Sequence, residues 1–164
     1  MISTIVDMKK QLLNDLKEAM KEKDVIKKNT IQLIRASILK YEKDNLKEAD
    51  DNKIIDIIFK IRRTLSDALK DFEKSGRQDL IDETNKEIEI LDNYLPTQLN
   101  DNELFFEILK IINEVNAQSV KDLGMVIKAA KSQIGNQADG KRISMAAKEL
   151  LNQKQKELNE KISN

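Results

Sequence analysis

One proline, Pro96, interrupts this chain, within Ile90-Leu91-Asp92-Asn93-Tyr94-Leu95-Pro96-Thr97-Gln98-Leu99. Proline has no backbone N–H and pushes the residue before it out of the α region, so a helix running up to Tyr94 has to stop there. The chain therefore reads as two helical parts on either side of a hinge. An amino-terminal helical domain spans residues 1–95, a small three-helix domain spans 96–155, and residues 156–164 form a polar tail.

The rest of the composition agrees with helix almost everywhere. Four Gly and one Pro in 164 residues, with 40% hydrophobic and 35% charged side chains, describe an all-α protein without strand signals. No apolar run approaches the ~20 residues that a membrane-spanning helix needs. The first residues enter an amphipathic pattern directly, so neither membrane nor secretion is expected, and a cytoplasmic protein is. Cysteine is absent, which removes a disulfide framework and a thiol nucleophile. Histidine is absent too, and with it the usual general base near neutral pH and the commonest metal ligand. Acidic pairs such as Asp50-Asp51 and Asp82-Glu83 exist, but among 29 carboxylates they read as solvated helix faces or turns. No catalytic constellation, metal site or cofactor site is expected.

Apolar residues recur at helical spacing throughout. Ser3 or Thr4 is the expected cap of a first helix with Ile5, Met8, Leu12, Leu16 and Ala19 on one stripe. Asp24 restarts a second helix, with Ile31, Ile34, Ile38 and Tyr41 inward. The third has the strongest signal, from Ile54 through Ile58, Ile61, Leu65 and Ala68 to Phe72, widened by Ile55, Ile57 and Phe59. Gly76 ends it and is assigned a structural role. The fourth carries Ile81, Thr84, Ile88, Leu91 and Leu95 to Pro96. Beyond, Asn100 and Glu103 read as a cap and its N3 acid, opening a fifth helix that buries Leu104, Ile108, Ile111 and Val115. Ser119 opens a sixth with Val120, Leu123, Ile127, Ala130 and Ile134 inside. Gly135 closes it, and a seventh places Ile143, Ala147 and Leu150 inside. Gly124, Gly135 and Gly140, like Pro96, are assigned structural roles.

Net charge is zero, but it is unevenly distributed. From Lys121 to Lys156 there are eight basic residues against three acidic ones, whereas from Pro96 to Val120 four carboxylates face Lys110 alone. Helical spacing sets Lys121, Lys128 and Lys131 on the outside of the sixth helix and Lys141 with Lys148 on one face of the seventh. The loop from Gly135 to Arg142 joins two helix ends with Lys141 and Arg142, a combination able to hold phosphate. It lacks the strand context and glycine spacing of a nucleotide-binding loop, so a plain helix-helix connection stands beside that reading. Arg62-Arg63 and the lysines of the first two helices form a second basic set, interleaved with acids.

Four segments carry a resemblance: Phe72-Glu73-Lys74-Ser75-Gly76-Arg77-Gln78-Asp79-Leu80, Leu91 through Leu99, Lys121-Asp122-Leu123-Gly124-Met125-Val126, and Ala138-Asp139-Gly140-Lys141. In order and spacing they resemble the GatB/YqeY-type family, over almost the whole chain to about Leu151. Two departures stand out: Asn116-Ala117-Gln118-Ser119 replaces a stretch where the family commonly has a Gly and small residues, and Gln137 replaces a frequent basic residue before Ala-Asp-Gly.

The resemblance implies a stand-alone relative of the tail of the B subunit of the tRNA-dependent amidotransferase, a carbon–nitrogen ligase with glutamine as amido donor. That tail helps to engage tRNA, while the chemistry occurs on other domains. The expected function is accordingly a non-catalytic tRNA-associated module, with Lys121, Lys128, Lys131, Lys141, Arg142 and Lys148 as its RNA-binding residues. The alternative is an accessory factor that docks on an aminoacylation or amidotransferase component without binding RNA. Oligomeric state is not legible.

Overall fold

The computed structural model describes residues 7–163. Among them it has seven α-helices, two single-turn 3₁₀ segments and no strand, so the all-α expectation is met. Contacts divide the chain between Leu95 and Pro96 into two compact units.

The first unit packs α1 (Met8–Glu22), α2 (Val25–Asn45), α3 (Asp51–Ser75) and α4 (Gln78–Asp92) into a bundle in which α1 lies along α2 and α3 along α4. Aspartates start three of them, each carboxylate accepting an otherwise unpaired N–H of the first turn: Asp7 from Lys10, Asp24 from Lys27 and Asp50 from Lys53. The cap of α1 is thus Asp7; the expected caps Ser3 and Thr4, with Ile5, lie outside the described residues. Gly76 ends α3 at φ 69°, a left-handed conformation glycine adopts without a Cβ clash. Helix α4 stops at Asp92, and Asn93 and Tyr94 form a turn before Pro96.

This core is aliphatic. Met8, Leu12, Leu16, Ile31, Ile34, Ile38, Ile54, Ile58, Phe59, Leu91 and Leu95 are all buried in one cluster, each large side chain contributing about 1.5–3 kcal/mol by leaving water. Tyr41, Ile61 and Leu65 are only partly buried. Polar ties hold the helices in register. The Lys9 ammonium lies 2.5 Å from Glu42, whose carboxylate also accepts the Ala49 N–H. Arg62 forks onto Asp92 at 2.5 and 3.2 Å. The Tyr94 hydroxyl donates to Asp15 at 2.5 Å, and burial, reinforced by that carboxylate, pushes its pKa well above the usual range. The acidic pairs are structural: Asp51 accepts the Met8 N–H, and Asp82 accepts from the Gln78 amide.

In the second unit, α5 (Asp101–Glu114), α6 (Leu123–Ile134) and α7 (Gly140–Ser163) surround a separate core of Leu104, Ile108, Ile111, Ile112, Val126, Ala130, Ile134, Ile143, Ala147 and Leu151. Asn100 and Glu103 form a reciprocal capping box, as their spacing indicates. Ser119 caps a 3₁₀ turn, Val120–Asp122, rather than α6 itself. That turn has three residues per repeat instead of 3.6, so the α6 stripe is rotated and Val126, not Ile127, is fully buried. One further correction falls in α7. Leu151 is fully buried while Leu150 packs against the same core only partly buried, and residues 156–163 continue the helix instead of forming an irregular polar tail. Lys, Gln and Glu are good helix formers, and no Gly or Pro interrupts them.

The two cores share no buried residue. Residues 96–163 expressed alone are expected to be helical by circular dichroism and to melt cooperatively; a disordered fragment would contradict this. The second prediction concerns Glu42. Its hydrogen bond to Lys9 holds its carboxyl below the usual pKa, so the stability it gives is present above the ordinary carboxylate range and fades as pH falls through the depressed value. Glu42→Gln should therefore be less stable than wild type near pH 7, and urea titrations of the two should converge in acid.

Candidate nucleic-acid interface

The residues after Pro96 form a strap across the turn that joins α6 to α7. The Leu99 N–H donates to the Gln137 carbonyl at 2.8 Å, and the Gln98 amide donates to the carbonyls of Asn136 and Pro96 at 2.8 and 2.7 Å. Arg142 completes the tie. Its Nη2 donates to the Leu99 carbonyl at 2.8 Å and to Asp101 Oδ1 at 3.0 Å.

Arg142, whose side chain is 32% exposed, is therefore tied within its unit, and a structural role is added to the sequence-based view of it as a surface RNA contact. Its partners lie more than forty residues earlier in the chain, a pairing that periodicity cannot reveal. The phosphate-holding reading of the loop also weakens at its helix start. Asp139 already accepts the Lys141 N–H at 3.2 Å, placing a carboxylate where a phosphate would bind.

The remaining candidates point outward. Lys121, on the 3₁₀ turn, Lys128 and Lys131 on α6, and Lys141 and Lys148 on α7 are all exposed. Among the described residues, none of the five is paired with a carboxylate. Lys131 reaches across to the start of α7: a Cβ added at Gly140 would sit 3.9 Å from its Cε. This brings Lys131 beside Lys141. Along α7, Lys141, Met145, Lys148, Asn152 and Lys156 follow at intervals of three or four residues and share the face opposite the core. Lys156 was missed because the sequence reading ended the domain before it. Lys154, on the opposite side of α7, donates instead to the Ala117 carbonyl at 2.6 Å.

The glycines separate into two kinds. Gly135 ends α6 at φ 60°, a structural requirement. Gly124 and Gly140 have no left-handed φ, and a Cβ at Gly124 would meet nothing within 4 Å. Neither backbone conformation nor packing in this chain asks for glycine at Gly124, which lies exposed on α6 between Lys121 and Lys128. Among the described residues there is no cluster of three or more potential metal-ligating side chains, and no helix is long and apolar enough to cross a membrane.

The family described as Yqey-like protein matches residues 9–151, most of both units. The chain belongs to that family. It is also similar to proteins named altered inheritance of mitochondria protein 41, mitochondrial. The Kluyveromyces lactis protein is 36% identical over 84 residues, covering 51% of this chain and 45% of that one. The Lachancea thermotolerans protein is 35% identical over 91 residues, 55% and 49% of the two chains. A longer match, 26% identical over 149 residues, covers 88% of this chain and 81% of the protein from Pyrenophora tritici-repentis. The chain thus spans about half the length of the two yeast relatives. These relatives are named as mitochondrial, which overturns the cytoplasmic expectation. That expectation rested on the lack of long apolar runs and on first residues that enter an amphipathic pattern directly, features that do not distinguish one aqueous compartment from another.

Seen as a Yqey-like protein, the chain accounts for one of its own departures. Asn116, in the stretch where the family commonly has glycine, adopts φ 58°. Asparagine tolerates this left-handed conformation better than most residues. The chain reversal after α5 is thereby kept, with Ala117 buried behind it. The roles of Arg142 and Lys141 are separable by experiment: Arg142→Ala should lower urea-measured stability by about 1–2 kcal/mol, whereas Lys141→Ala should stay within about 0.5 kcal/mol of wild type.

Proposed function

We propose that this Yqey-like protein is a non-catalytic RNA-associated module, and that the exposed α6–α7 face of its second unit engages the sugar-phosphate backbone of a folded RNA. By family resemblance that RNA is tRNA. One observation carries the reading. Lys121, Lys128, Lys131, Lys141, Lys148 and Lys156 stand exposed and without carboxylate partners among the described residues, on a 3₁₀ turn and the two helices whose joining turn the strap braces.

An unpaired surface lysine gives up little hydration or internal pairing when it meets a phosphate, and its binding free energy comes largely from released counterions. Gly124 supports the same reading. Glycine inside a helix costs about 0.5–1 kcal/mol relative to alanine, and the open space above Gly124 lets a backbone approach the helix between Lys121 and Lys128. Aromatic residues make up 4% of the chain, which favours recognition of shape and charge over base stacking. Glutamine hydrolysis and amide transfer, the chemistry of the amidotransferase, are assigned to other proteins, since the chain has neither Cys nor His to form a nucleophile-base pair.

Fluorescence titration of the full chain with unfractionated tRNA tests this. Lys128→Glu, Lys131→Glu and Lys141→Glu together should weaken binding at least tenfold, and the wild-type affinity should fall steeply with salt. Reversal of Lys9, Lys10 and Lys17 in the first unit should leave it within about threefold. Gly124→Ala should raise stability by about 0.5–1 kcal/mol while weakening binding. Unchanged affinity in the triple variant at low and moderate salt would overturn the proposal.

A further inference from the structure

Two surfaces lie outside the RNA reading, and they are complementary. The first is a groove between α1 and α2 with a volume of about 450 Å³. Its apolar lining comes from Leu12, Leu13, Ile38 and Leu39, of which Leu39 is 67% exposed. Lys9, Lys10 and Arg35 also line it, against the single carboxylate Glu42. That carboxylate is taken by Lys9, and Lys10 and Arg35 have no carboxylate partner among the described residues. The groove is therefore apolar inside and positive at its edge.

The second surface is the outer face of α5. Phe106, 67% exposed, and Leu109, 47% exposed, stand side by side on it at three-residue spacing. A phenylalanine so placed is unusual on a helix whose opposite face already supplies the core with Leu104, Ile108, Ile111 and Ile112. Over the whole helix the charges are Asp101, Glu103, Glu107 and Glu114 against Lys110, and with Asp101 paired to Arg142 and Glu107 to Lys110, Glu103 and Glu114 are the carboxylates left without a cation among the described residues. This is a convex, apolar and negative ridge.

We propose that α5 of one copy seats Phe106 and Leu109 in the α1–α2 groove of a second copy, with its carboxylates facing Lys10 and Arg35. An amphipathic helix laid in an apolar groove is an established recognition mode, and opposite charge at the rim sets its orientation and excludes unlike partners. Ridge and groove are different surfaces, so the contact is heterologous; exchanged reciprocally between two copies it closes a dimer, and otherwise it propagates a chain. The inference goes beyond the RNA reading and does not depend on it, because none of these residues belongs to the α6–α7 face.

Sedimentation velocity on full-length, nucleic-acid-free protein tests the contact. Wild type should gain mass with concentration. Leu39→Glu, which blocks the groove, and Phe106→Glu, which blocks the ridge, should each remain single chains. Mixing the two variants should restore a 1:1 species, because one intact ridge and one intact groove remain. The substituted side chains are two-thirds exposed, so each variant should keep wild-type helicity by circular dichroism; if either loses it, Leu39→Ser and Phe106→Ser replace the pair. Wild type that stays monomeric throughout would overturn the proposal, as would association surviving in either variant. Loss in both variants without recovery on mixing would identify a contact between like faces and overturn it equally.

Discussion

The geometry of the second unit depends on the strap that begins at Pro96. Proline cannot extend α4, and the residues after it are taken up by hydrogen bonds from Gln98 and Leu99 to the α6–α7 turn and from Arg142 back to Leu99. The carbonyls of Asn136 and Gln137 lie beyond the end of α6, where helices leave acceptors unpaired. Bonding them fixes how α7 leaves the turn, and hence which lysines of α7 stand beside Lys131. Arg142 is a cation spent on structure, since its guanidinium serves a carbonyl and a carboxylate at once.

The surrounding cores explain why the outer faces are free for other uses. Both are built mainly from Ile, Leu, Val, Met and Ala with a single buried Phe, Phe59, and α1, α2, α3 and α5 are started by Asp or Asn caps. Most surface lysines take no part in holding such a scaffold together. Lysines on its outside can then be arranged for a partner, since isolated surface charges contribute little to folding. The first unit uses its polar groups differently. Arg62 with Asp92, Lys9 with Glu42 and Tyr94 with Asp15 each join helices within that unit, beside a groove that is apolar inside and edged by Lys10 and Arg35, which have no carboxylate partner among the described residues.

Helix content, order and most buried positions were legible in the sequence, because a 3.6-residue apolar period survives any detail of packing. The cap at Asn100 and the ends at Gly76 and Gly135 were legible for the same local reason: a side chain or a φ value is answered within one turn. The misplacements share a cause as well. A 3₁₀ turn at Val120 shifted the phase of α6 and moved Val126 into the core in place of Ile127, a rotation that composition does not announce. The polar run after Leu151 was taken for a tail because its apolar signal ends, although helix propensity alone sustains it. The structural ties of Arg142 were not legible because its partners are distant in sequence. At the candidate interface, the outward placement of the lysines was legible from charge and spacing, whereas the open space at Gly124 is visible only in the structure.

The central claim is that RNA meets this protein on one face of α6 and α7. Amide chemical-shift mapping of the full chain titrated with tRNA tests it most directly, since it reports every backbone position without substitution. The account predicts shifts concentrated at Lys121 through Lys131 and along Lys141, Lys148 and Lys156, with Gly124 among the largest, and little change in α1 through α4. Shifts centred instead on the α1–α2 groove or the outer face of α5, with Gly124 unmoved, would contradict it.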